Sequence, residues 1–442
     1  MKRFHITTLG CKVNQCESAA LSSIFESCGG SAAQTIDQSE IVVINTCTVT
    51  GKAAMQSRQA VRQAIRRNPN ATIVVTGCYA QTAPQEIQTI KGVDLIVGHA
   101  DKLRIAEFAC FRQQEAQSPM LIRKSIRQAA HFDAMPSVSP LKRTRAFLKI
   151  QDGCDAFCTY CIVPHARGRS RSMPVADVAQ HIATLTADGF QEVVLTGIHL
   201  GVYGQDLTPP TSLAALLSRL AHETNRPRIR ISSIEPTEIE AALINLAADP
   251  QSCVCPHFHV PLQSGDNDVL KRMGRPYTRE MFAEAIMTVR QALPNAAIGV
   301  DIMAGFPGES DEAFEHSYEL IRTLPITYLH VFPFSPRKGT PAATFSNKIS
   351  DSVVKVRSQR LRELGEKKKT GFFQSQIDRT VTILIETNRD HGTGMARGLS
   401  DNYIPVSIPD SELVENTFVD VRIVQVRSDG CVIGKPAAAT TR

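Results

Sequence analysis

Short apolar runs alternate with longer stretches of mixed polarity over the first 120 residues of this chain. The runs Phe4–Leu9, Ile41–Asn45, Ile73–Thr76 and Val93–Val97 have strand length, and the stretches between them, such as Glu17–Glu26 and Lys52–Arg66, are long enough for helices. This alternation predicts a parallel sheet with crossover helices. Residues 113–140 carry Gln, Ser, Pro and charge without periodicity and read as a linker. The strand–helix unit then resumes. Ala146–Ile150, Glu192–Thr196, Arg228–Ser232, His257–Val260, Ala297–Met303 and Tyr328–Phe332 read as strands, separated by helical stretches such as Val175–Ala187 and Arg279–Leu293. Six units are too few for an eight-fold barrel and predict an open, partial one with its site at the strands' C-terminal ends. A long basic helix, Val353–Thr370, follows, with Val354, Leu361 and Leu364 as its packing stripe. The last pattern is β-rich: Val381–Glu386, Tyr403–Ile408, Phe418–Val426 and Cys431–Ile433, with Gly and Asp at the turns, predict a small antiparallel barrel. The fold class is α/β in three parts: 1–112, 141–372 after the linker, and 375–437.

Composition adds limits. At 442 residues the chain holds several cores, and no apolar run approaches the ~20 residues that span a membrane. It begins Met-Lys-Arg-Phe with no apolar signal region, so the expectation is a cytoplasmic protein with reduced thiols. The net charge of +6 is modest but clustered. Arg123, Lys124 and Arg127 form one group, Lys142, Arg143 and Arg145 a second, and Arg167, Arg169 and Arg171 a third. Such runs are ordinarily solvated surface; three around one cysteine loop weaken that reading, and the charge permits a polyanionic partner without demanding one. From Arg379 to Lys435 there are six basic and eight acidic residues, so charge gives the terminal barrel no claim on RNA.

Of the twelve cysteines, three lie in one loop, Gly153-Cys154-x-x-x-Cys158-x-x-Cys161, after the first barrel strand. Thiolates at this spacing can hold three irons of a [4Fe–4S] cube and leave the fourth open to a small molecule. A zinc knuckle completed by His165 is the alternative. Three more cysteines end the first three strands, in Leu9-Gly10-Cys11, Asn45-Thr46-Cys47 and Thr76-Gly77-Cys78. Parallel strands put their C-terminal ends on one edge, so these thiols should converge, as ligands of a second cluster or as separate buried thiols. Cys253-Val-Cys255-Pro-His257-Phe-His259 invites a zinc reading, but in an extended strand the four would span roughly 20 Å. His259 is kept as a pocket residue.

The run Gly153-Cys-Asp-Ala-Phe-Cys-Thr-Tyr-Cys-Ile-Val-Pro-His-Ala-Arg-Gly-Arg-Ser-Arg-Ser172 resembles the radical S-adenosylmethionine (SAM) loop of the tRNA methylthiotransferases. Thr8-Leu-Gly-Cys-Lys-Val-Asn-Gln15, Asn45-Thr-Cys-Thr-Val-Thr50, Gly77-Cys-Tyr-Ala-Gln81, Pro261-Leu-Gln-Ser-Gly265, Asp301-Ile-Met-Ala-Gly-Phe-Pro-Gly-Glu309 and Phe334-Ser-Pro-Arg-Lys-Gly-Thr-Pro341 agree with it in order. The resemblance implies a methylthiotransferase N-terminal domain, a radical SAM partial barrel and a C-terminal TRAM domain. It implies that Cys154, Cys158 and Cys161 hold a [4Fe–4S] cluster that cleaves SAM, and that Cys11, Cys47 and Cys78 hold an auxiliary one. The other six cysteines match no ligand position, Cys16 stands where an aromatic is expected, and His165 where tyrosine is usual. Leu9-Gly-Cys-Lys-Val-Asn-Gln is similar to the branch acting on N6-threonylcarbamoyladenosine at tRNA position 37. The alternatives are isopentenyladenosine or a ribosomal protein side chain. Gly197, which follows the second barrel strand, Gln263 and Asp301 are candidates for the SAM pocket, and a low-potential electron donor such as flavodoxin is the expected partner. Arg143, Arg145, Arg167, Arg169 and Arg171 are expected on the phosphates of the anticodon stem-loop.

Overall fold

The computed structural model describes residues 2–111, 119–136, 144–221, 226–389, 393–409 and 413–437. Arg143 lies outside them. The N-terminal domain is a parallel sheet of β1 (Arg3–Thr8), β2 (Ile41–Thr46), β3 (Thr72–Gly77), β4 (Leu95–Val97) and β5 (Met120–Ile122), paired in that order, with Ser31–Ala32 at the β1 edge. Every residue of β2 and β3 is buried, as their unbroken apolar runs require of strands covered on both faces. Val42, Ile44 and Val75 pack toward the helix Gly51–Arg67, while Ile41, Val43 and Val74 pack toward α1 (Lys12–Ser27). The stretch expected as a linker is not all linker. Its Met120–Ile122 adds the last strand of the sheet, and Ile126 is buried in a short 3₁₀ turn.

The second part is an open barrel made of two parallel three-stranded sheets. One is β6 (Arg145–Lys149), β7 (Glu192–Thr196) and β8 (Arg228–Ile231); the other is β9 (His257–Gln263), β10 (Ala297–Ala304) and β11 (Tyr328–Pro333). Single bridges, Ile229 to Val254 and Ser233 to His259, join them. Alternate residues, among them Leu148, Leu195, Ile231, Val260 and Val300, enter the core shared with the surrounding helices. The period of two turns the other set, including Lys149, Glu192, Arg230, His257, His259, Asp301, Tyr328 and His330, to the concave side. The helix Asp351–Gln374 packs Leu361 and Leu364 into the same core, as expected of its stripe.

The third part is a closed five-stranded barrel whose strand Ala396–Ser400 the sequence did not reveal. It docks on the N-terminal ends of the barrel strands. Arg228 donates to the carbonyl of Leu399 (2.9 Å), Arg230 to those of Asp401 (2.7 Å) and Ser400 (3.0 Å). Arg145 pairs with Glu386 at 2.9 Å. This corrects its expected phosphate role, because it opens β6 at the end away from the Cys154 loop and is engaged at a domain interface.

Candidate active site

The loop after β6 is closed at its base by the antiparallel pairing of Gln151–Asp152 with Arg171–Ser172. Gly153 sits at φ +75, where a Cβ would fall 1.8 Å from the Arg169 carbonyl, so only glycine fits. Two of the three thiols then meet a side-chain nitrogen. Cys154 Sγ lies 3.5 Å from His199 Nδ1, whose Nε2 is 2.6 Å from Glu238. Arg275 donates to Cys158 Sγ at 3.3 Å and pairs with Glu235. Burial works against charge on His199, yet its hydrogen bonds with Cys154 and Glu238 carry it up to about 10. Burial pushes the Cys161 thiol up to about 12, so its thiolate needs a positive charge close by, which a metal centre supplies.

The structure brings Cys11, Cys47 and Cys78 to one sheet edge. Cys11 caps α1, Cys47 follows β2, and Cys78 opens the short helix Cys78–Thr82. A Cβ on Gly10 would lie 2.8 Å from Cys47 Cβ, and one on Gly77 2.4 Å from the Thr46 carbonyl, so two glycines permit the close approach. Asn14 donates to the carbonyls of Leu9 (2.7 Å) and Thr46 (3.1 Å), tying the first two strand ends together. The thiols feel one another's charge, and burial raises Cys78 to about 12. A zinc ion would draw its sulfurs to about 3.8 Å apart. Among the described residues the only three ligand groups within 4.8 Å of one another are His259, Asp301 and His330. His165, which a zinc knuckle would need as its fourth ligand, instead lies 3.5 Å from Arg127.

Arg167, 1% exposed, lies near Cys11 and Cys78 and is bonded to Asp152 at the base of the Cys154 loop. It donates to Glu17 (2.9 Å), Asp152 (2.9 Å) and Asn14 (2.7 Å), while Lys102 and Lys149 also pair with Glu17. Arg171, 4% exposed, donates to the Arg167 carbonyl at 3.0 Å. Arg167 cannot reach a phosphate, because its buried guanidinium is held by partners that span two domains, whereas Arg171 also lines the cleft that Arg169 rims. Arg169 is different. It is exposed, 3.5 Å from Asp155, on the rim of a cleft of about 690 Å³ shared with Arg127, His199 and Asp206. Arg123, Lys124 and Lys338 line the adjoining cleft.

Of the expected SAM-pocket residues, Gly197 abuts Gln151, whose Oε1 accepts from the amides of Ile198 and His199 (2.8 Å each). Gln263 ends β9 at φ +66, beside a shift in register. Asp301 lies deeper, 2.8 Å from His259 Nε2 and 3.3 Å from His330 Nδ1. Burial opposes its charge, but the two imidazoles hold it well below the usual carboxylate range. His199, Arg275, Glu235 and Glu238 escaped the sequence reading. Their one signal was position, since Glu235-Pro-Thr-Glu238 follows the third barrel strand where active-site loops begin.

A family model described as Radical SAM superfamily matches residues 148–321, and one described as uncharacterized protein family UPF0004 matches residues 3–98. The first defines the class, enzymes that use SAM with a [4Fe–4S] cluster. The chain is 39% identical over 425 residues to threonylcarbamoyladenosine tRNA methylthiotransferase MtaB of Bacillus subtilis (strain 168), covering 96% of this chain and 93% of the relative. It is 37% identical to the protein of the same name from Aquifex aeolicus (strain VF5), covering 90% and 95%. It is 35% identical to tRNA-2-methylthio-N(6)-dimethylallyladenosine synthase of Pelotomaculum thermopropionicum, covering 90% of each. The chain belongs to the radical SAM tRNA methylthiotransferases, which are transferases acting on tRNA. The radical SAM methyltransferase TsrM from Kitasatospora setae shares the fold, with a TM-score of 0.57 at 14% identity over 78% of this chain and 75% of that one. No helix among the described residues is long and apolar enough to cross a membrane.

Proposed function

We propose that this enzyme adds a methylthio group to C2 of N6-threonylcarbamoyladenosine at tRNA position 37, using two [4Fe–4S] clusters and two SAM per product. The observation that carries the reading is the second cysteine trio at the sheet edge, across Arg167 from the Cys154 loop. Hydrogen abstraction alone needs no such set, whereas sulfur insertion needs a place to hold sulfur. The Bacillus and Aquifex relatives are named for the threonylcarbamoyl nucleoside, which supports that substrate.

Cys154, Cys158 and Cys161 would hold three irons of one cluster, and Cys11, Cys47 and Cys78 would hold the other. When bound, the first supplies the electron that splits SAM into a radical able to take hydrogen from C2. The protein's part is position. Glu238 orients His199 toward Cys154, Arg275 donates to Cys158, and such N–H···S contacts steady a cluster and tune its potential. Gly197 and Gln263 at the strand ends are the proposed SAM contacts, with Asp301 below them. Arg169, with Arg123 and Arg127, is the proposed phosphate rim, and RNA seated there would keep water from the radical. A flavodoxin-type protein is the proposed electron donor.

Deleting the gene and digesting bulk tRNA to nucleosides should remove the 2-methylthio derivative of N6-threonylcarbamoyladenosine from the mass spectrum. Loss of the dimethylallyl derivative instead would place the enzyme with the Pelotomaculum relative. Loss of neither, with a ribosomal peptide unmodified, would place it on protein.

A further inference from the structure

Beside the concave floor of the partial barrel lies a cation with no ion pair of its own among the described residues. Most of the floor's positive groups are matched: Arg228 and Arg230 share Glu192 (2.8 Å from Arg230 Nε), Arg145 meets Glu386 (2.9 Å), and Lys149 meets Asp152 (3.0 Å). Lys12 is not. It is the first residue of α1, and Cys16, one turn further along, lines a small cavity with Phe147 and Lys149 of β6. The charged groups around Lys12 are Arg145, which opens that strand, together with Arg230 and Glu192. Glu192 is already taken by two guanidiniums, and among the described residues no carboxylate pairs with the Lys12 ammonium.

A second unmet group lies beside it. His257 is 4% exposed and has its Nε2 2.8 Å from the Tyr328 hydroxyl, while its Nδ1 has no hydrogen-bond partner. Lys12 and Arg230 are among its charged neighbours. Tyr403 of the terminal barrel closes the floor, stacked on His257 at 4.2 Å. A half-buried ammonium among guanidiniums, next to an unsatisfied imidazole nitrogen, is costly to maintain unless a ligand brings negative charge and acceptors to it.

We propose that this floor is an anion subsite for the carboxylate at the end of the substrate's N6 threonyl arm, with Lys12 forming the ion pair and Arg230 and His257 lining it. The inference rests on the threonylcarbamoyl reading above. That arm carries one carboxylate at neutral pH, whereas a dimethylallyl arm is hydrocarbon and has nothing to offer Lys12. Lys12 directly follows Cys11, so the residue that reads the arm is bonded to one proposed to hold the sulfur source. The arm and C2 leave the adenine ring at different edges, and gripping both from one helix start would set the ring's place.

The test uses the full-length enzyme, reconstituted anaerobically, with anticodon stem-loops carrying the threonylcarbamoyl arm, the same arm as its neutral methylamide, or a dimethylallyl arm. Wild type should prefer the carboxylate to the amide by roughly 10- to 100-fold in kcat/KM, the range of a charge-assisted hydrogen bond. Lys12→Gln should raise KM for the carboxylate RNA by a similar factor and erase the preference, with iron and sulfide content retained; Lys12→Arg should restore most of it. Equal use of carboxylate and amide by wild type overturns the subsite, and that arm of the test needs no variant to fold. An undiminished preference in Lys12→Gln overturns the assignment to Lys12. Wild type acting on the dimethylallyl RNA alone would instead overturn the substrate reading itself.

Discussion

The two cysteine trios are built in opposite ways. Cys154, Cys158 and Cys161 sit within one loop, so chain connectivity alone keeps them near each other. Cys11, Cys47 and Cys78 meet only because β1, β2 and β3 pair in parallel and in register, with Gly10 and Gly77 letting the loops close. A contiguous set needs a loop and a few donors. A dispersed set needs a whole folded domain, and on the proposed function it is the dispersed one that would hold the sulfur source.

The largest effects come from breaking one trio at a time. Cys158→Ala should abolish 5′-deoxyadenosine formation, whereas Cys47→Ala should keep SAM cleavage and lose the methylthiolated nucleoside. Each should drop the iron count from about eight to about four per chain, one cube's worth. Full product from Cys47→Ala would reduce the dispersed trio to ordinary thiols. Next comes Arg167→Met, which leaves Glu17 and Asp152 buried without their guanidinium. A cost of about 3–5 kcal/mol is expected, read by denaturant titration, and the protein should lose the dispersed cluster first. A variant as stable as wild type would show that the network does not hold the two trios together.

Acid gives a graded version at the far end of the barrel. Burial opposes charge on Glu192, but Arg230 and Arg228 hold its carboxyl at about 2, below an ordinary 4.5. Since the folded value is the lower one, its contribution is complete above pH 4.5 and fades as pH falls toward 2, on the order of 3 kcal/mol in all. Melting profiles of wild type and Glu192→Gln should converge through that window; parallel profiles would rule the contribution out. The smallest effect belongs to the rim. Arg169→Ala should weaken RNA binding a few-fold and flatten the logarithmic salt dependence by about one, as the loss of one phosphate contact does. An unchanged salt slope would remove Arg169 from the interface.

The same contrast governs what the sequence could reveal. Strands such as Ile41–Thr46 and Thr72–Gly77 were legible because burial on both faces leaves an unbroken apolar run. Met120–Ile122 was not, being a three-residue, half-exposed edge strand inside a polar stretch, and Ala396–Ser400 hid behind its Arg397 and Gly398. All six proposed cluster cysteines were legible from spacing or from strand ends. Arg167 was misread because a charge run looks the same whether it meets water or carboxylates, and its partner Glu17 lies 150 residues away. His199, Glu238 and Arg275 come from separate barrel loops, and nothing local marks them as neighbours of thiols.

The buried guanidinium of Arg167 also constrains how substrate can arrive. Prising the N-terminal domain from the barrel would strip this charge from Glu17 and Asn14 on one side while Asp152 stays on the other. That separation is steeply uphill, so the charge network fastens the two domains to each other. On the proposed function, the base would then have to reach a site whose walls are already assembled.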